Sequence, residues 1–140
     1  MSETLEAQVP AAVEVKGGVV AYLNVEGAVR AAEFYQKAFG ATVAAQMPPD
    51  EQGRSMHVHL YVNGSSVMLS DFYPEHGFSP VKPQAFSLML PVDDIEAWFR
   101  RAVDAGCEVV QPVQKMFWGD FYAEVRDPFG VSWSMDQPDR

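Results

Sequence analysis

The spacing of apolar and polar positions predicts the same series of elements twice along the chain. Residues 19–43 and 85–109 each begin with an apolar run of strand length that ends in valine. An acidic start signal and a stretch with helical spacing follow, and a second apolar run closes each segment. Glycine stands at the end of both helical stretches, at Gly40 and Gly106, where helices commonly end. The pattern therefore predicts a duplicated strand–helix–strand unit.

Both helical stretches are amphipathic. Their apolar residues recur at helical spacing, at Ala28, Ala31, Ala32, Tyr35 and Phe39 in the first and at Ile95, Trp98, Phe99, Ala102 and Val103 in the second. On the opposite face an acid precedes a base by four positions, which predicts the ion pairs Glu33–Lys37 and Glu96–Arg100. Because such stripes pack against a neighbouring layer, we interpret their aromatic residues as core rather than as a cofactor site.

The two halves continue to match beyond the helices. The stretch "HLYVNGSSVMLSD" (59–71) and the stretch "AEVRDPFGVSWSMD" (123–136) each contain a strand, a tight glycine-bearing turn and a strand that ends in serine and aspartate. Asn-Gly and Asp-Pro-Phe-Gly are strong turn signals. Each half is therefore predicted to have the order βαβββ.

We predict an α+β fold of two tandem βαβββ modules. They are expected to form a curved mixed or antiparallel sheet around a ligand cavity, with one helix per module on the outer face. The single domain spans 18–137, with module one at about 18–71 and module two at about 85–137. Residues 1–17 are interpreted as a flexible tail. Segment 72–84, rich in proline and aromatic residues, is interpreted as a linker, with a lid as the alternative.

Composition narrows the classes of partner. The chain carries a formal net charge of −9, and its basic residues are scattered singly apart from Arg100 and Arg101. Without a basic patch, nucleic acid and anionic membrane are excluded as partners. The single cysteine, Cys107, excludes an internal disulfide and is interpreted as an inert core thiol rather than a reactive one. No signal peptide or transmembrane segment is recognisable, which predicts a cytoplasmic protein.

Strand alternation separates core positions from cavity positions. The core set is apolar throughout: Val19, Ala21, Leu23, Val58, Leu60, Val62, Ala123, Val125, Val131, Trp133 and Met135. The opposite parity gives cavity candidates that are mostly polar or aromatic: Tyr22, Asn24, His57, His59, Tyr122, Glu124 and Ser134. Trp118 is either a stacking surface at the mouth of the cavity or a plug between the modules.

His57 and His59 share one strand face, which leaves three interpretations open. They line a pocket without a metal, or they are solvated, or they form half of a metal site. In the last case a third ligand is needed, with Asp71, Glu124 and Asp120 as candidates. The pattern favours pocket lining.

The paired modules, with "AAEFYQKAFGA" in the first and "DPFGVSWSM" in the second, resemble the vicinal oxygen chelate superfamily. That group holds glyoxalase I, bleomycin-resistance proteins and extradiol dioxygenases. The stretches "HVHLYVNGSSVMLSD" and "FWGDFYAEVRDPFGVSW" are similar to the PhnB-like branch. The resemblance covers about residues 18–137 and implies a homodimer that binds a small molecule.

In metal-using members of this superfamily, two matching positions of each module supply the four ligands. The resemblance places them here at Val20, Ser70, Ser87 and Ser134, with Leu69 in place of Ser70 if the register shifts by one. Valine cannot bind a metal, and serine hydroxyls are weak ligands beside imidazole or carboxylate. The resemblance therefore implies a cavity, with Ser70, Ser87 and Ser134 in its lining, that has no metal at the usual site.

Two classes of function follow. The favoured class is a protein that binds a small organic molecule without a resident cofactor. The alternative is an enzyme of lyase, isomerase or dioxygenase type. It would use His57 as general acid or base with Glu124 or Asp120 nearby, or a divalent metal held by relocated ligands.

Overall fold

The structure is a computed structural model that describes residues 13–139. The predicted tail falls mainly on residues 1–12, which lie outside the described residues. The last residues of the predicted tail, within 13–17, are described, and hydrogen bonds hold them. The Tyr61 hydroxyl donates to the carbonyl oxygen of Glu14 at 2.6 Å, and the backbone of Lys16 exchanges two hydrogen bonds with Ser66.

Two βαβββ modules follow one another along the chain. The first contains β1 (Ala21–Val25), α1 (Ala28–Phe39), β2 (Thr42–Gln46), β3 (Val58–Val62) and β4 (Ser65–Asp71). The second contains β5 (Leu88–Pro91), α2 (Ile95–Ala105), β6 (Glu108–Lys115), β7 (Phe121–Arg126) and β8 (Ser132–Gln137). Each module makes its own four-stranded sheet, in the orders β1-β4-β3-β2 and β5-β8-β7-β6. The α+β fold of two βαβββ modules is confirmed.

Both sheets are mixed, and their pairing repeats. The first and last strands of each module, β1 with β4 and β5 with β8, run parallel. The remaining neighbours are antiparallel. A parallel pair needs a long crossover connection, whereas antiparallel neighbours can be joined by tight turns. The helix and the two middle strands supply that crossover in each module.

The described residues group into two compact units. The first unit comprises 13–36 and 40–80, and the second comprises 37–39 and 81–139. The boundary between residues 80 and 81 falls inside the predicted linker 72–84, the connector between the modules. The last three residues of α1 group with the second unit rather than the first.

Burial follows the predicted alternation in β1, and the residues of β3 that were predicted to be core are buried, although His59 on the other parity is buried too. Leu23, Val58, Leu60 and Val62 are all buried. Val19 was predicted to be core and is 97% exposed, so that prediction is wrong. The physical reason is that Val19 lies in a bend and β1 begins only at Ala21, so the period of two does not extend back to it.

The two helices bury their stripes to different depths. All five predicted stripe residues of α1 are buried. In α2 only Ile95 and Ala102 are buried, while Trp98, Phe99 and Val103 are half-buried. The ion pairs found among the described residues include neither of the two predicted helix pairs. Long solvated side chains gain little from such pairs.

Two further predictions have structural counterparts. Asn63 and Gly64 both have positive φ, 49° and 84°, which is the backbone of a type I′ hairpin turn. Cys107 is buried, and burial, followed by the negative charge of Asp127, raises the pKa of its thiol to about 12. A thiol with that pKa is unreactive at neutral pH. No helix within residues 13–139 is long and apolar enough to cross a membrane.

Candidate functional site

A pocket of about 410 Å³ lies in the first unit. Its lining comes from β1, from the loop before β3, from the end of β4 and from the start of the connector: Tyr22, Asn24, Met56, Ser70, Asp71, Tyr73, His76 and Phe78. The volume falls within the range of sites that hold small organic ligands. We take this pocket as the candidate site.

The parallel pair of β1 and β4 positions the floor of the pocket. Leu23 and Val25 are buried in the core, so alternation turns the side chains between them to the opposite face. Asn24 is directly paired with Ser70 in the sheet register. The structure thus brings three predicted lining residues, Tyr22, Asn24 and Ser70, into one pocket.

The start of the connector forms the other wall. A single 3₁₀ turn spans Pro74–His76, and the amide groups of His76 and Phe78 donate to the carbonyl oxygen of Tyr73 at 2.9 and 3.1 Å. This compact turn carries the side chains of Tyr73, His76 and Phe78 into the lining. The linker interpretation therefore does not describe this part of the connector, which is a pocket wall.

Sequence reasoning missed Met56, Tyr73, His76 and Phe78 as lining residues. Met56 precedes the strand, so alternation gave no information about it. The other three lie in "FYPEHGF", where the density of aromatic residues beside a proline was the available signal. A solvated linker has little need for three large rings within six positions.

His57 lies beside the pocket rather than in its lining. Its Nδ1 is 3.2 Å from the hydroxyl of Tyr22, and the two rings have centroids 5.9 Å apart. Burial raises the pKa of Tyr22, so the phenol stays protonated at neutral pH. The acid or base role of His57 stays a prediction.

His59 has a different environment from His57. It is buried, and its Nε2 is 2.7 Å from the hydroxyl of Ser66. Its ring also packs edge-on against Tyr61 at 5.1 Å. Burial, and secondarily the charge of His57, lowers the pKa of His59. The structure therefore places His59 in a neutral, hydrogen-bonded setting and not among the pocket-lining residues.

The two histidines do not converge with a third ligand. Their ring centroids are 6.5 Å apart. Within residues 13–139, no three His, Cys, Asp or Glu side chains are grouped so that they could hold a metal ion. Asp71, one candidate for the third ligand, instead accepts hydrogen bonds from the backbone amides of Gly27, Ala28 and Ser55. The donor set for a relocated metal site is therefore not assembled here.

The positions inherited from the metal-using superfamily members do not fit a divalent ion either. Val20 offers no donor atom. The Ser70 hydroxyl donates to the carbonyl oxygen of Asp71 at 2.9 Å. The hydroxyls of Ser87 and Ser134 lie 3.1 Å apart in the second unit. Neutral hydroxyls that already have protein partners are poor ligands for a divalent ion.

Three more of the residues that the sequence predicted for the site, Tyr122, Glu124 and Asp120, lie in the second unit. The Tyr122 hydroxyl donates to Oε1 of Glu124 at 3.4 Å, and burial is the main cause that raises the pKa of Tyr122. Asp136, which is paired with Tyr122 in the sheet, has a raised pKa because of its burial and of a hydrogen bond with Asp120. Two carboxyl groups that lie this close share a proton more readily than either binds one alone.

Trp118 lies in the turn between β6 and β7. It is 52% exposed, and its ring meets that of Phe117 edge-on at 4.9 Å. Phe117 is almost fully exposed. The structure thus places Trp118 at an exposed hairpin tip of the second unit.

The substitution Asp136→Asn is expected to raise the melting temperature at pH 7 and to have little effect near pH 4. The folded-state pKa of Asp136 lies above its usual value, so the native protein loses stability as the pH rises from the usual aspartate pKa through the raised one. Asparagine cannot ionise. We expect a gain of roughly 0.5–1 kcal/mol, or about 2–4 °C.

Thermal unfolding of both proteins at the two pH values measures this effect. Asp139→Asn is the control, because Asp139 is exposed and paired with Lys115, and it should not show the same gain. An increase of equal size at both pH values would contradict the ionisation argument.

Comparison with known proteins agrees with this architecture. The sequence model of the Glyoxalase/Bleomycin resistance protein/Dioxygenase superfamily matches residues 18–135. An uncharacterized protein of Mycobacterium bovis is 38% identical over 136 residues, which is 92% of this chain and 88% of that protein.

Solved structures show the same fold. The protein PA1353 from Pseudomonas aeruginosa aligns with a TM-score of 0.70 at 28% identity, covering 87% of this chain and 98% of that one. A PhnB protein from Bacillus cereus, described as a putative 3-demethylubiquinone-9 3-methyltransferase, aligns with a TM-score of 0.66 at 21% identity, over 86% and 99% of the two chains. The latter shows the fold alone. The chain therefore belongs to the glyoxalase/bleomycin resistance protein/dioxygenase superfamily, the vicinal oxygen chelate group that its two modules resemble.

Proposed function

We propose that this protein binds a small, planar, uncharged aromatic molecule in the pocket of its first unit. The composition of the pocket wall is the observation that carries this proposal. Three aromatic rings, those of Tyr22, Tyr73 and Phe78, surround the space together with the Met56 thioether. Flat apolar ligands pack well against such rings, and each ring contact contributes roughly 0.5–1.5 kcal/mol beyond the area that it buries.

The polar groups of the wall would orient the ligand. The Asn24 amide offers both donors and an acceptor, and the Ser70 hydroxyl keeps acceptor capacity after its donation to the Asp71 carbonyl oxygen. A few fixed polar groups on an otherwise apolar wall are typical of sites that select one small molecule. The ligand would therefore carry at least one hydrogen-bonding substituent at one edge of its ring system.

The charges around the pocket favour an uncharged ligand over an anion. The lining contains neither lysine nor arginine, and its one carboxylate, that of Asp71, is already hydrogen-bonded to three backbone amides. A buried anion without a cationic partner is costly, and a net charge of −9 on the whole chain repels anions further. The proposed activity is reversible binding, with no covalent step.

The substitution Asn24→Trp is expected to weaken the binding of the neutral dye N-phenyl-1-naphthylamine at least about tenfold. Asn24 is an exposed strand residue that lines the pocket, so an indole there fills the space without disturbing the core. Fluorescence titration measures the affinity, and we expect saturable binding by the unsubstituted protein.

Thr42→Trp is the matched control, because Thr42 is exposed on β2 and outside the lining. It adds the same indole elsewhere in the first unit and should leave the affinity unchanged. Unchanged melting temperatures would show that both variants are folded. Equal dye affinity in the Asn24→Trp variant and the unsubstituted protein, or dye binding that never saturates, would refute the proposed site.

A further inference from the structure

The side chain of Arg54 contacts three residues of the first unit. Its Nε donates to Oδ2 of Asp50 at 3.0 Å. Its two terminal nitrogens donate to the two carboxylate oxygens of Glu75 at 3.0 and 2.7 Å. Its guanidinium group also lies over the ring of Tyr73, 4.4 Å from the centroid. Glu75 and Tyr73 both belong to the connector turn that forms the pocket wall, so Arg54 fastens that turn to the loop before β3.

Arg54 is itself held in position. Oδ1 of Asp50 accepts hydrogen bonds from the backbone amides of Gln52 and Arg54, both at 2.9 Å. The side chain of Arg54 is only 20% exposed. Isolated surface ion pairs contribute little, but a preorganised guanidinium with a two-pronged carboxylate contact and a stacked ring combines the features that make such pairs effective.

One polar group in the pocket wall that Arg54 contacts lacks a hydrogen-bond partner among the described residues. The hydroxyl of Tyr73 is buried and has no hydrogen-bond partner among the described residues. A buried hydroxyl without a partner favours any rearrangement that exposes it to water. The closed position of the connector turn is therefore opposed by Tyr73 and maintained by contacts elsewhere.

We propose that Arg54 is the positioning residue of the pocket, a latch that keeps residues 73–78 closed against it and whose release lets this wall open. The proposal rests on the proposed function only in taking the pocket as the binding site. Tyr73, His76 and Phe78 leave the lining when the latch opens. Ligand exchange then depends on an ion bridge that the ligand itself does not touch.

Because an ion pair holds residues 73–78 against the pocket, the salt concentration should determine how often this wall opens. The hydrogen bonds from Arg54 lower the pKa of Glu75 to about 2, so the bridge stays ionised throughout the neutral range. The Glu75 side chain of this pair is 49% exposed, so mobile ions can reach and weaken the pair, and the Debye length falls to about 3 Å at 1 M salt. Binding of an uncharged dye should therefore become salt-sensitive through the protein alone.

Amide hydrogen exchange of segment 73–78 tests the latch without any ligand. The amides of His76, Gly77 and Phe78 are hydrogen-bonded within the turn, and we expect Arg54 to slow their exchange further by restricting the fluctuations of the turn. In Arg54→Gln we expect their exchange to accelerate about fivefold or more, and 1 M NaCl should move the unsubstituted protein in the same direction. Glu75→Gln should act similarly.

The double variant Arg54→Gln, Glu75→Gln should exchange hardly faster than Arg54→Gln alone, because both substitutions remove one shared contact. Lys115→Gln is the matched control, since it removes an exposed ion pair with Asp139 in the second unit and should leave segment 73–78 unchanged. Unaltered exchange in a folded Arg54→Gln variant would overturn the latch.

A second readout separates the latch from the proposed function. The dissociation rate of N-phenyl-1-naphthylamine should rise about fivefold or more in Arg54→Gln, in step with the amide exchange. Faster exchange with unchanged dye dissociation would overturn the positioning role. Faster exchange in a protein that never binds the dye would support the latch and refute the dye site, so the two failures are distinguishable.

Discussion

Asp71→Asn is expected to lower the free energy of unfolding by about 2–3 kcal/mol, although the two side chains have nearly the same shape. The melting temperature should fall by roughly 6–12 °C. Asp71 is buried at the end of β4. Its carboxylate accepts from the amides of Gly27, Ala28 and Ser55 at 2.6, 3.1 and 2.9 Å.

The reason for this large effect lies at the first turn of α1. Gly27 has a left-handed backbone and no side chain, so the helix has no local cap. The first amides of a helix need acceptors, and a negative charge there also complements the helix dipole. Asp71, which is 44 positions away from Gly27 in sequence, supplies both the acceptor oxygens and the negative charge. Asparagine supplies one acceptor oxygen and brings an NH₂ group against donors that it cannot satisfy.

Far-UV circular dichroism is the suitable measurement, because all three tryptophans lie beyond residue 97 and so report on the second unit. Asp94→Asn is the matched control. Asp94 caps α2 but is exposed, and among the described residues its carboxylate accepts one hydrogen bond, from the amide of Ala97 at 3.2 Å, so its replacement should lower the free energy of unfolding by about 1 kcal/mol or less. An Asp71→Asn variant as stable as this control would contradict the proposed cap.

The role of Asp71 shows where sequence reasoning reaches its limit. As an acid in a strand near two histidines, it was a reasonable candidate for a metal ligand. Nothing local to Asp71 indicates that the helix start at Gly27 lies beside it, since the parallel pairing of β1 with β4 brings them together. The second module has a comparable contact, because Gln137 at the end of β8 accepts from the amide of Ile95 at the start of α2. This similarity between the modules is visible only in the structure.

Local signals, by contrast, predicted the fold well. The α1 stripe, the two glycine helix ends and the Asn63–Gly64 turn each follow from residues within one or two helical turns of each other, and the structure has all of them. Strand parity also separated Tyr22 and Asn24 from the core correctly. Parity could not distinguish His57 from His59, because burial of His59 depends on Ser66 and Tyr61 from neighbouring positions of the hairpin.

The pocket wall was the least predictable part of the candidate site. Alternation and helical spacing apply to regular elements, whereas the turn at Pro74–His76 belongs to neither. Its position depends on Arg54, 21 residues before Glu75. An ion pair between residues so far apart produces no helical or strand spacing in the sequence from which it could be predicted. The wall of the candidate pocket is thus an irregular segment that one guanidinium contacts from the loop before β3.

Asp127→Ala is expected to lower the free energy of unfolding further, by about 3–4 kcal/mol. Asp127 is 4% exposed. One carboxylate oxygen accepts from the backbone amides of Phe129 and Val131 at 2.8 and 3.0 Å. The other accepts from the indole nitrogen of Trp133 at 2.9 Å. Alanine removes the acceptor for three buried or half-buried donors at once.

The loss should be greater than for Asp71→Asn because alanine retains no acceptor, and because Trp133 carries a large share of the local core. Trp133 is fully buried and packs against Phe39 with ring centroids 4.5 Å apart. The Asp127→Ala substitution removes the carboxylate acceptor of its buried indole N–H beside that ring. The charge of Asp127 also helps to raise the pKa of Cys107, so the thiol pKa should fall in the variant.

A double-mutant cycle with Trp133→Phe isolates the contact with the indole. Urea unfolding followed by fluorescence is suitable, because Trp98 and Trp118 remain as reporters in the second unit. Phenylalanine has no N–H, so Asp127→Ala should be less damaging by about 1–2 kcal/mol in the Trp133→Phe background. If the two effects were simply additive, the carboxylate would act through the turn amides of Phe129 and Val131 alone, and the coupling of this turn to the core through Trp133 would be excluded.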